Sequence, residues 1–140
     1  MYDKIKAYLS YKIRGQEENR TEWTILQNIQ DAVEFGQQIR AKLPRLELFV
    51  PHEWEFMHGV ALKQGIMTVE ELLKFDCSVI RLCDVVILGC PISESKGCTV
   101  EYQEALKHNI PVIRVPLTNK LYRMRDLRRR LEIEGFEIKE

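Results

Sequence analysis

The sequence predicts an α/β fold: a single domain over residues 1–140 with a doubly wound, mostly parallel, five-stranded sheet and helices on both faces. Two observations predict it. Segments with strand character alternate with segments of helical periodicity along the whole chain. The run DVVILGC at 84–90 is continuously apolar, as expected of a central parallel strand covered on both faces. Such a sheet is Rossmann-like or flavodoxin-like, and 140 residues suffice for one domain of this kind.

The first part of the chain contains two predicted strands around one long helix. KIKAYLS at 4–10 alternates apolar and polar residues, which is typical of a strand. Apolar residues then recur at three- and four-residue steps over 19–43 and predict an amphipathic helix, which Pro44 ends. RLELFV at 45–50 predicts the second strand, closed by Pro51.

The rest of the chain continues the alternation. The segment 52–65 is either a short helix or a lid-like loop. A helix over 68–83 opens with Thr68 and Glu71, the spacing of a capping box. The remaining predicted elements are a strand at 84–90, a helix at 97–108, a strand at 110–115, a basic helix at 120–135 and an edge strand at 136–139.

Composition and charge exclude several classes of function. The formal net charge is zero, which argues against nucleic-acid or membrane binding driven by bulk charge. No apolar run reaches the roughly 18 residues of a membrane span and no signal pattern opens the chain, so a cytoplasmic location is expected. The basic C-terminal helix is then more simply an amphipathic surface helix than a nucleic-acid patch.

Cysteine and histidine spacing gives no metal motif. The cysteines lack a C-x-x-C pair and are interpreted as small apolar residues in a reducing compartment. The histidines lack the H-x-x-x-H and H-E-x-x-H spacings of metal enzymes. Neither a metal nor another cofactor is expected.

A ligand site is expected at the carboxyl ends of the strands, where doubly wound sheets bind ligands. The loops at that edge are 10–18, 51–66, 89–97 and 116–120. PISESKG directly precedes a helix and suits an anion. The loop after the first strand offers Lys12, Arg14 and Arg20 to a phosphate, although a solvated loop explains them equally well. The chain has neither a P-loop nor a G-x-G-x-x-G motif.

Asp76 is a carboxylate on an apolar helical face. It lies in line with five apolar residues, namely Leu72, Leu73, Val79, Ile80 and Cys83. Desolvation there raises the pKa of the carboxyl group and suits it to donate a proton. The structural interpretation is a buried Asp76 that caps a turn or pairs with Arg14 or Lys12.

Glu101 is placed by the sequence in the first turn of its helix. The helix dipole and free N–H groups there favour negative charge, so the pKa of Glu101 is expected to be low. The simpler interpretation is an acid that only stabilises the helix. One carboxyl group kept protonated and one kept ionised is how glycoside-cleaving sites divide proton donor from nucleophile.

Several segments together resemble a known family. YLSYKIRG at 8–15, the aspartate at 76, CDVVILG with Asp84, and SKGCTVEYQEALKHNIPV resemble the nucleoside 2-deoxyribosyltransferase family. The nearest branch is its hydrolases, the (deoxy)nucleoside 5′-monophosphate N-glycosidases. The resemblance covers roughly residues 4–115 and implies one such domain over the chain.

The resemblance implies a role for each matching residue. Glu101 is the nucleophile that attacks C1′ of the sugar, Asp76 contacts or protonates the departing base, and Tyr8 positions the nucleophile or the sugar. Ser95 contacts the 5′ end, or Ser93 does so in its place, because the loop is longer by one residue. The other implied pocket residues are Ser10, Ile13, Arg14, Gly15, His52, Gly97 and, mainly as a structural residue, Asp84.

The chain departs from the family pattern at two places. Tyr11 stands where the family has a glycine, which narrows that loop. The segment 51–66 has no counterpart and is expected to set base specificity, with His52, Trp54 and Phe56 available to the base.

The resemblance thus implies an enzyme that takes a small-molecule nucleotide or nucleoside, uses no cofactor or metal, and forms a homodimer or higher homo-oligomer. Water as acceptor gives a hydrolase, and a second base gives a deoxyribosyltransferase. Two hypotheses compete with these: a non-catalytic nucleotide-sensing module, and an enzyme that acts on a dinucleotide such as NAD.

Overall fold

The computed structural model describes residues 4–13, 21–115 and 120–138. Its sheet has four strands, all parallel, in the order β2-β1-β3-β4. The strands are β1 (Ile5–Ser10), β2 (Leu46–Phe49), β3 (Val85–Leu88) and β4 (Val112–Arg114). This order is the flavodoxin-like variant of a doubly wound sheet and confirms the predicted α/β class.

Five α-helices connect and flank the strands in the described part of the chain. They are α1 (Glu22–Lys42), α2 (Glu55–Lys63), α3 (Val69–Ile80), α4 (Lys96–Lys107) and α5 (Arg123–Ile133). Short 3-10 turns precede α2 at Pro51–Trp54 and α4 at Ile92–Glu94. The segment 52–65, for which the sequence allows a helix or a loop, is therefore helical over most of its length.

The prediction of five strands is wrong for the described residues. The segment predicted as an edge strand, 136–139, is not a strand over 136–138, and residue 139 lies outside the described residues. After Gly135 ends α5 with a positive φ of 93°, the chain buries Ile138 in the core. The Arg45 guanidinium donates to the Glu137 carbonyl, so this carbonyl accepts from a side chain and not from the backbone of a neighbouring strand.

Helices cover both faces of the sheet, as predicted. On one face, the inward residues of β1 pack against Phe35 and Ile39 of α1 and Leu127 and Leu131 of α5. On the other face, Tyr8 and Val86 pack against Ile80 of α3 and Ala105 of α4. Each face buries apolar side chains from strand and helix alike, which provides most of the stability of such a layered domain.

Side-chain caps fix where the two helices beside the site begin. Thr68 and Glu71 form the predicted capping box of α3, in which the Thr68 hydroxyl accepts from the Glu71 backbone N–H. Ser95 caps α4, since its hydroxyl accepts from the Cys98 backbone N–H at 3.3 Å. These caps set the rotation of each helix and hence which residues face the sheet.

The strand order reverses between β1 and β3. The chain leaves β1 toward β2 on one side, and leaves β3 toward β4 on the other. The ends of β1 and β3 lie side by side, with Ser10 opposite Leu88. A crevice at the carboxyl ends of these strands is where doubly wound sheets bind ligands.

Among the helices described, none is both long enough and apolar enough to cross a membrane.

Candidate active site

Glu101 lies between two hydroxyl groups of β1. The Tyr8 hydroxyl donates to Glu101 Oε2, and Ser10 Oγ donates to Glu101 Oε1 at 2.7 Å. Tyr8 and Ser10 are two residues apart on one strand, so their side chains point to the same face of the sheet. Glu101 comes from α4 on that face and is only 6% exposed. Both oxygens of its carboxyl group therefore have a donor.

The prediction of a low pKa for Glu101 is wrong. Burial raises its pKa to about 8, and the nearby Cys98 thiol adds to the rise, although the Tyr8 and Ser10 hydrogen bonds oppose it. Because α4 begins at Lys96, Glu101 lies in the second turn, beyond the free N–H groups of the helix start. Desolvation therefore dominates over the helix dipole.

Asp76 is desolvated, as its place on an apolar stripe predicts. It is 8% exposed, and burial raises its pKa to about 7. The Tyr8 hydroxyl lowers this pKa and so partly opposes the effect of burial. Its Oδ1 is buried without a hydrogen-bond partner among the described residues. The pairing with Lys12 is not formed, since Lys12 Nζ binds Glu94 at 3.0 Å. Arg14 lies outside the described residues.

The Tyr8 hydroxyl interacts electrostatically with both carboxyl groups, those of Glu101 and Asp76. The residue is fully buried, and burial together with the charges of Glu101 and Asp76 raises the pKa of its hydroxyl well above the usual value. Tyr8 therefore stays protonated and remains a donor at any ordinary pH. The cluster holds one carboxyl group with donors on both oxygens and one with an unpartnered oxygen. The pKa of Glu101, about 8, lies above that of Asp76, about 7, so the form with Glu101 ionised and Asp76 protonated is a minor form of the pair near neutral pH.

An aromatic group extends from Tyr8 toward the surface. The Tyr8 and Phe49 rings stack with centroids 5.6 Å apart, and Phe75 meets Phe49 edge-on at 6.5 Å. Phe75 directly precedes Asp76 and is half exposed. The sequence analysis predicts neither phenylalanine as a site residue. The available signal is positional, because Phe49 ends β2 and pairs with Tyr8 at the carboxyl edge.

The loop before Glu101 places its predicted residues at the start of α4. Ser95 is the N-cap, and Gly97 lies in the first turn against Leu73 of α3 and the Ser95 hydroxyl. Ser93 lies in the exposed 3-10 turn. The ion pair between Lys12 and Glu94 ties this loop to the one after β1. Lys12, predicted as a phosphate contact, is thus paired within the protein.

His52 is buried under the loop after β1. Its Nε2 lies 3.2 Å from the Lys12 carbonyl, and its Nδ1 has no partner among the residues that the structure describes. Burial lowers its pKa to about 4, so the ring is neutral at physiological pH. Trp54 and Phe56, the other residues expected to meet a base, are exposed at the start of α2.

Two other predicted pocket residues, Ile13 and Asp84, make contacts outside the cluster. The Ile13 carbonyl accepts from Asn28 Nδ2 at 2.9 Å, which fixes the loop after β1 to α1. Asp84 lies at the opposite edge of the sheet, where its Oδ2 accepts from the Lys6 backbone N–H at 2.9 Å. Its role is therefore structural. Gly15, like Arg14, lies outside the described residues.

Two thiols lie beside the cluster. Cys90 Sγ and Cys98 Sγ are 3.6 Å apart, and both residues are buried. Within 4–13, 21–115 and 120–138, no group of three or more histidine, cysteine or acidic residues is arranged to hold a metal ion.

Comparison of the chain with models of protein families, with characterised proteins and with solved structures found no match in any of the three.

Proposed function

We propose that the protein cleaves the N-glycosidic bond of a (deoxy)nucleoside 5′-monophosphate and releases the free base. The observation that carries this proposal is the buried Glu101 carboxyl group, held by Tyr8 and Ser10 beside the desolvated Asp76. A nucleophile and an acid in different environments are what double displacement at a glycosidic carbon requires.

In the first step, a Glu101 oxygen attacks C1′ of the sugar. The C1′–N bond breaks, its electron pair goes to the base nitrogen, and Asp76 supplies the proton that neutralises the departing base. The Tyr8 and Ser10 hydroxyls hold both oxygens of the Glu101 carboxyl group and so fix its orientation. The product on the enzyme is a glycosyl ester of Glu101.

In the second step, water attacks C1′ of this ester. The C1′–O bond to Glu101 breaks and returns the carboxylate, while the Asp76 carboxylate takes a proton from the water. The products are the free base and a sugar 5-phosphate. Attack by a second base in place of water gives base exchange, the reaction of a deoxyribosyltransferase.

The substrate's 5′ end is assigned to the start of α4. Ser95 and Gly97 bring a hydroxyl group and a close backbone to this helix N-terminus, one and a half turns before Glu101. The aromatic group of Tyr8, Phe49 and Phe75 offers a ring surface beside Asp76, where the base must leave. These placements support a nucleotide more than a free sugar.

The assembly proposed with this function is a cytoplasmic homodimer or larger homo-oligomer. The apolar side chains of α2 support it, because Phe56, Met57 and Val60 project from a helix that buries none of its residues in the chain. Exposed apolar patches of this kind mark interaction surfaces. Light scattering after size exclusion tests this; a monomer at micromolar concentration contradicts it.

A substrate panel tests the function. Purified protein is incubated with deoxyribo- and ribonucleoside monophosphates, nucleosides and NAD, with and without a second free base, and chromatography follows the bases released. Release from a monophosphate without added base is the expected result, and Glu101→Ala serves as the inactive control. Release only when a second base is present indicates the transferase. Calorimetric nucleotide binding without release indicates a sensing module, and cleavage of NAD alone indicates a dinucleotide enzyme.

A further inference from the structure

Cys90 and Cys98 form a pair of thiols on either side of the loop that leads into α4. Their sulfur atoms are 3.6 Å apart, and the side chains are only 3% and 1% exposed. Cys98 lies in the first turn of α4, three residues before Glu101, so both residues face the same side of the helix. Any change at this pair is therefore next to the carboxyl group of the site.

We propose that Cys90 and Cys98 are a reversible dithiol–disulfide site for hydroperoxides, and that its oxidation switches off the site at Glu101. The switch rests on the proposed function, whereas formation of the disulfide does not.

The surroundings make Cys90 the thiol that reacts first. The hydrogen bond with the Cys98 thiol lowers the pKa of Cys90, and the Lys12 backbone N–H and ammonium group lower it further, against the effects of burial and of the Glu94 charge. The same sulfur–sulfur contact raises the pKa of Cys98, so Cys98 keeps its proton. A thiol with a lowered pKa next to one with a raised pKa is the arrangement of an attacking and a resolving cysteine.

The chemistry balances with one hydroperoxide for two thiols. The Cys90 thiolate sulfur attacks a peroxide oxygen, the O–O bond breaks, and the leaving oxygen takes a proton and departs as water or an alcohol. The Cys98 sulfur then attacks the sulfenic sulfur of Cys90, the S–O bond breaks, and the Cys98 proton leaves with that oxygen as water. The two thiols lose two electrons in total, and the peroxide gains them. A low-molecular-weight thiol reverses the reaction by exchange.

Closing the disulfide moves the start of α4. A disulfide bond is about 2.05 Å long, so the two sulfurs must approach each other from their separation of 3.6 Å. Cys98 is held by the Ser95 cap and shares its helix with Glu101, whose contact with Ser10 spans 2.7 Å. A shift of this helical turn changes that contact and moves the carboxyl group from its position. Misplacement of a reacting group by about 1 Å can cost about 100-fold in rate.

Oxidation of the reduced full-length protein with hydrogen peroxide tests the dithiol site. Intact mass spectrometry is expected to show a loss of about 2 Da, reversed by dithiothreitol, and non-reducing peptide mapping to join Cys90 to Cys98. Cys90→Ser is expected to abolish the mass loss, whereas Cys83→Ser retains it as the matched control. Absence of the Cys90–Cys98 peptide after peroxide, with the protein still folded by circular dichroism, overturns the proposal and leaves the thiols as packing groups.

Base release measured on the same samples tests the switch. Oxidised protein is expected to release base about 10- to 100-fold more slowly, with recovery in dithiothreitol and no response to peroxide in Cys90→Ser. A disulfide that forms without slowing base release overturns the switch. A disulfide that forms in a protein whose reduced state cleaves no substrate overturns the proposed function and supports the dithiol site.

Discussion

Ser10 donates its hydroxyl hydrogen bond to Glu101 across 2.7 Å, joining β1 to α4 at the point where the strand order reverses. The contact is buried and spans 91 positions in the sequence. Together with the Tyr8 hydroxyl on the other oxygen, it opposes the effect of burial, which still leaves the pKa of this carboxyl group at about 8. Ser10, expected to contact substrate, is in the structure a positioning residue for Glu101.

Replacing Ser10 with alanine is expected to move the pH profile of base release to higher pH. In the wild type, the Ser10 hydroxyl stabilises the ionised form of Glu101. A hydrogen bond to a charged group contributes about 1.5–3 kcal/mol, and the variant loses it. Because Asp76 has the lower pKa and sets the rising limb, the alkaline limit of the kcat/KM profile is expected to shift upward by about 1 to 2 pH units and the peak rate to fall. Ser10→Thr keeps a hydroxyl group and is expected to restore most of the profile. Ser78→Ala, which removes an exposed hydroxyl on α3, is the control; equal profiles for all variants contradict the role.

Glu101→Gln is expected to reduce base release by at least about 1,000-fold, because an amide cannot form the glycosyl ester. The amide fits between the same two hydroxyl groups, so the fold is expected to persist. Glu104 lies three residues further along α4 and pairs with His108 at 3.1 Å. Glu104→Gln is therefore the matched control. Turnover rates of both variants, measured with the best substrate of the panel, check this. A Glu101→Gln enzyme with more than a tenth of wild-type activity excludes Glu101 as nucleophile.

Asp76 and Glu101 show what sequence reasoning can and cannot predict here. The burial of Asp76 follows from its own helix, because the Thr68 cap fixes where α3 begins and the apolar stripe then identifies its inner face. The burial of Glu101 depends on Tyr8 and Ser10, which lie on a strand far away in the sequence. A local pattern reports the helix dipole and contains no information on this long-range desolvation.

The same limit explains the missing strand and the unpredicted thiol pair. Phe136 and Ile138 alternate with charged residues as in an edge strand, but an irregular segment that buries Ile138 has the same local pattern. Cys90 and Cys98 are separated by eight positions, and only the path of the 3-10 turn between them brings their sulfurs to 3.6 Å. The alternation of strands and helices predicted the fold because it depends on each element's own periodicity.

The free energy of unfolding is expected to fall as pH rises from about 4 to about 8. Glu101 has a pKa of about 8 in the folded protein, against about 4.3 in an unfolded chain. Between these values the folded state holds a proton that the unfolded state has released, so raising the pH favours unfolding. Asp76, with its pKa raised to about 7, contributes in the same direction.

Urea unfolding of wild type and Glu101→Gln at pH 5 and pH 8.5 measures this contribution. The uncharged Gln side chain is expected to remove most of the decrease, on the order of a few kcal/mol. Glu104→Gln is expected to keep the wild-type dependence on pH. Parallel curves for wild type and Glu101→Gln contradict a raised pKa at this position.

Asp76→Asn is expected to remove the alkaline limb of the pH profile and to slow base release about 100- to 10,000-fold. In the wild type, activity needs Glu101 ionised and Asp76 protonated, and burial raises their pKa values to about 8 and about 7. The profile is therefore expected to be a bell with both limits near neutral pH, set by the pair as a coupled system.

Asparagine cannot donate the proton, so only a rise with pH remains. The midpoint of that rise reports the pKa of Glu101 without the Asp76 charge that raises it. Asp84→Asn, at the opposite edge of the sheet, is expected to keep the bell. A wild-type bell in Asp76→Asn assigns Asp76 to structure alone.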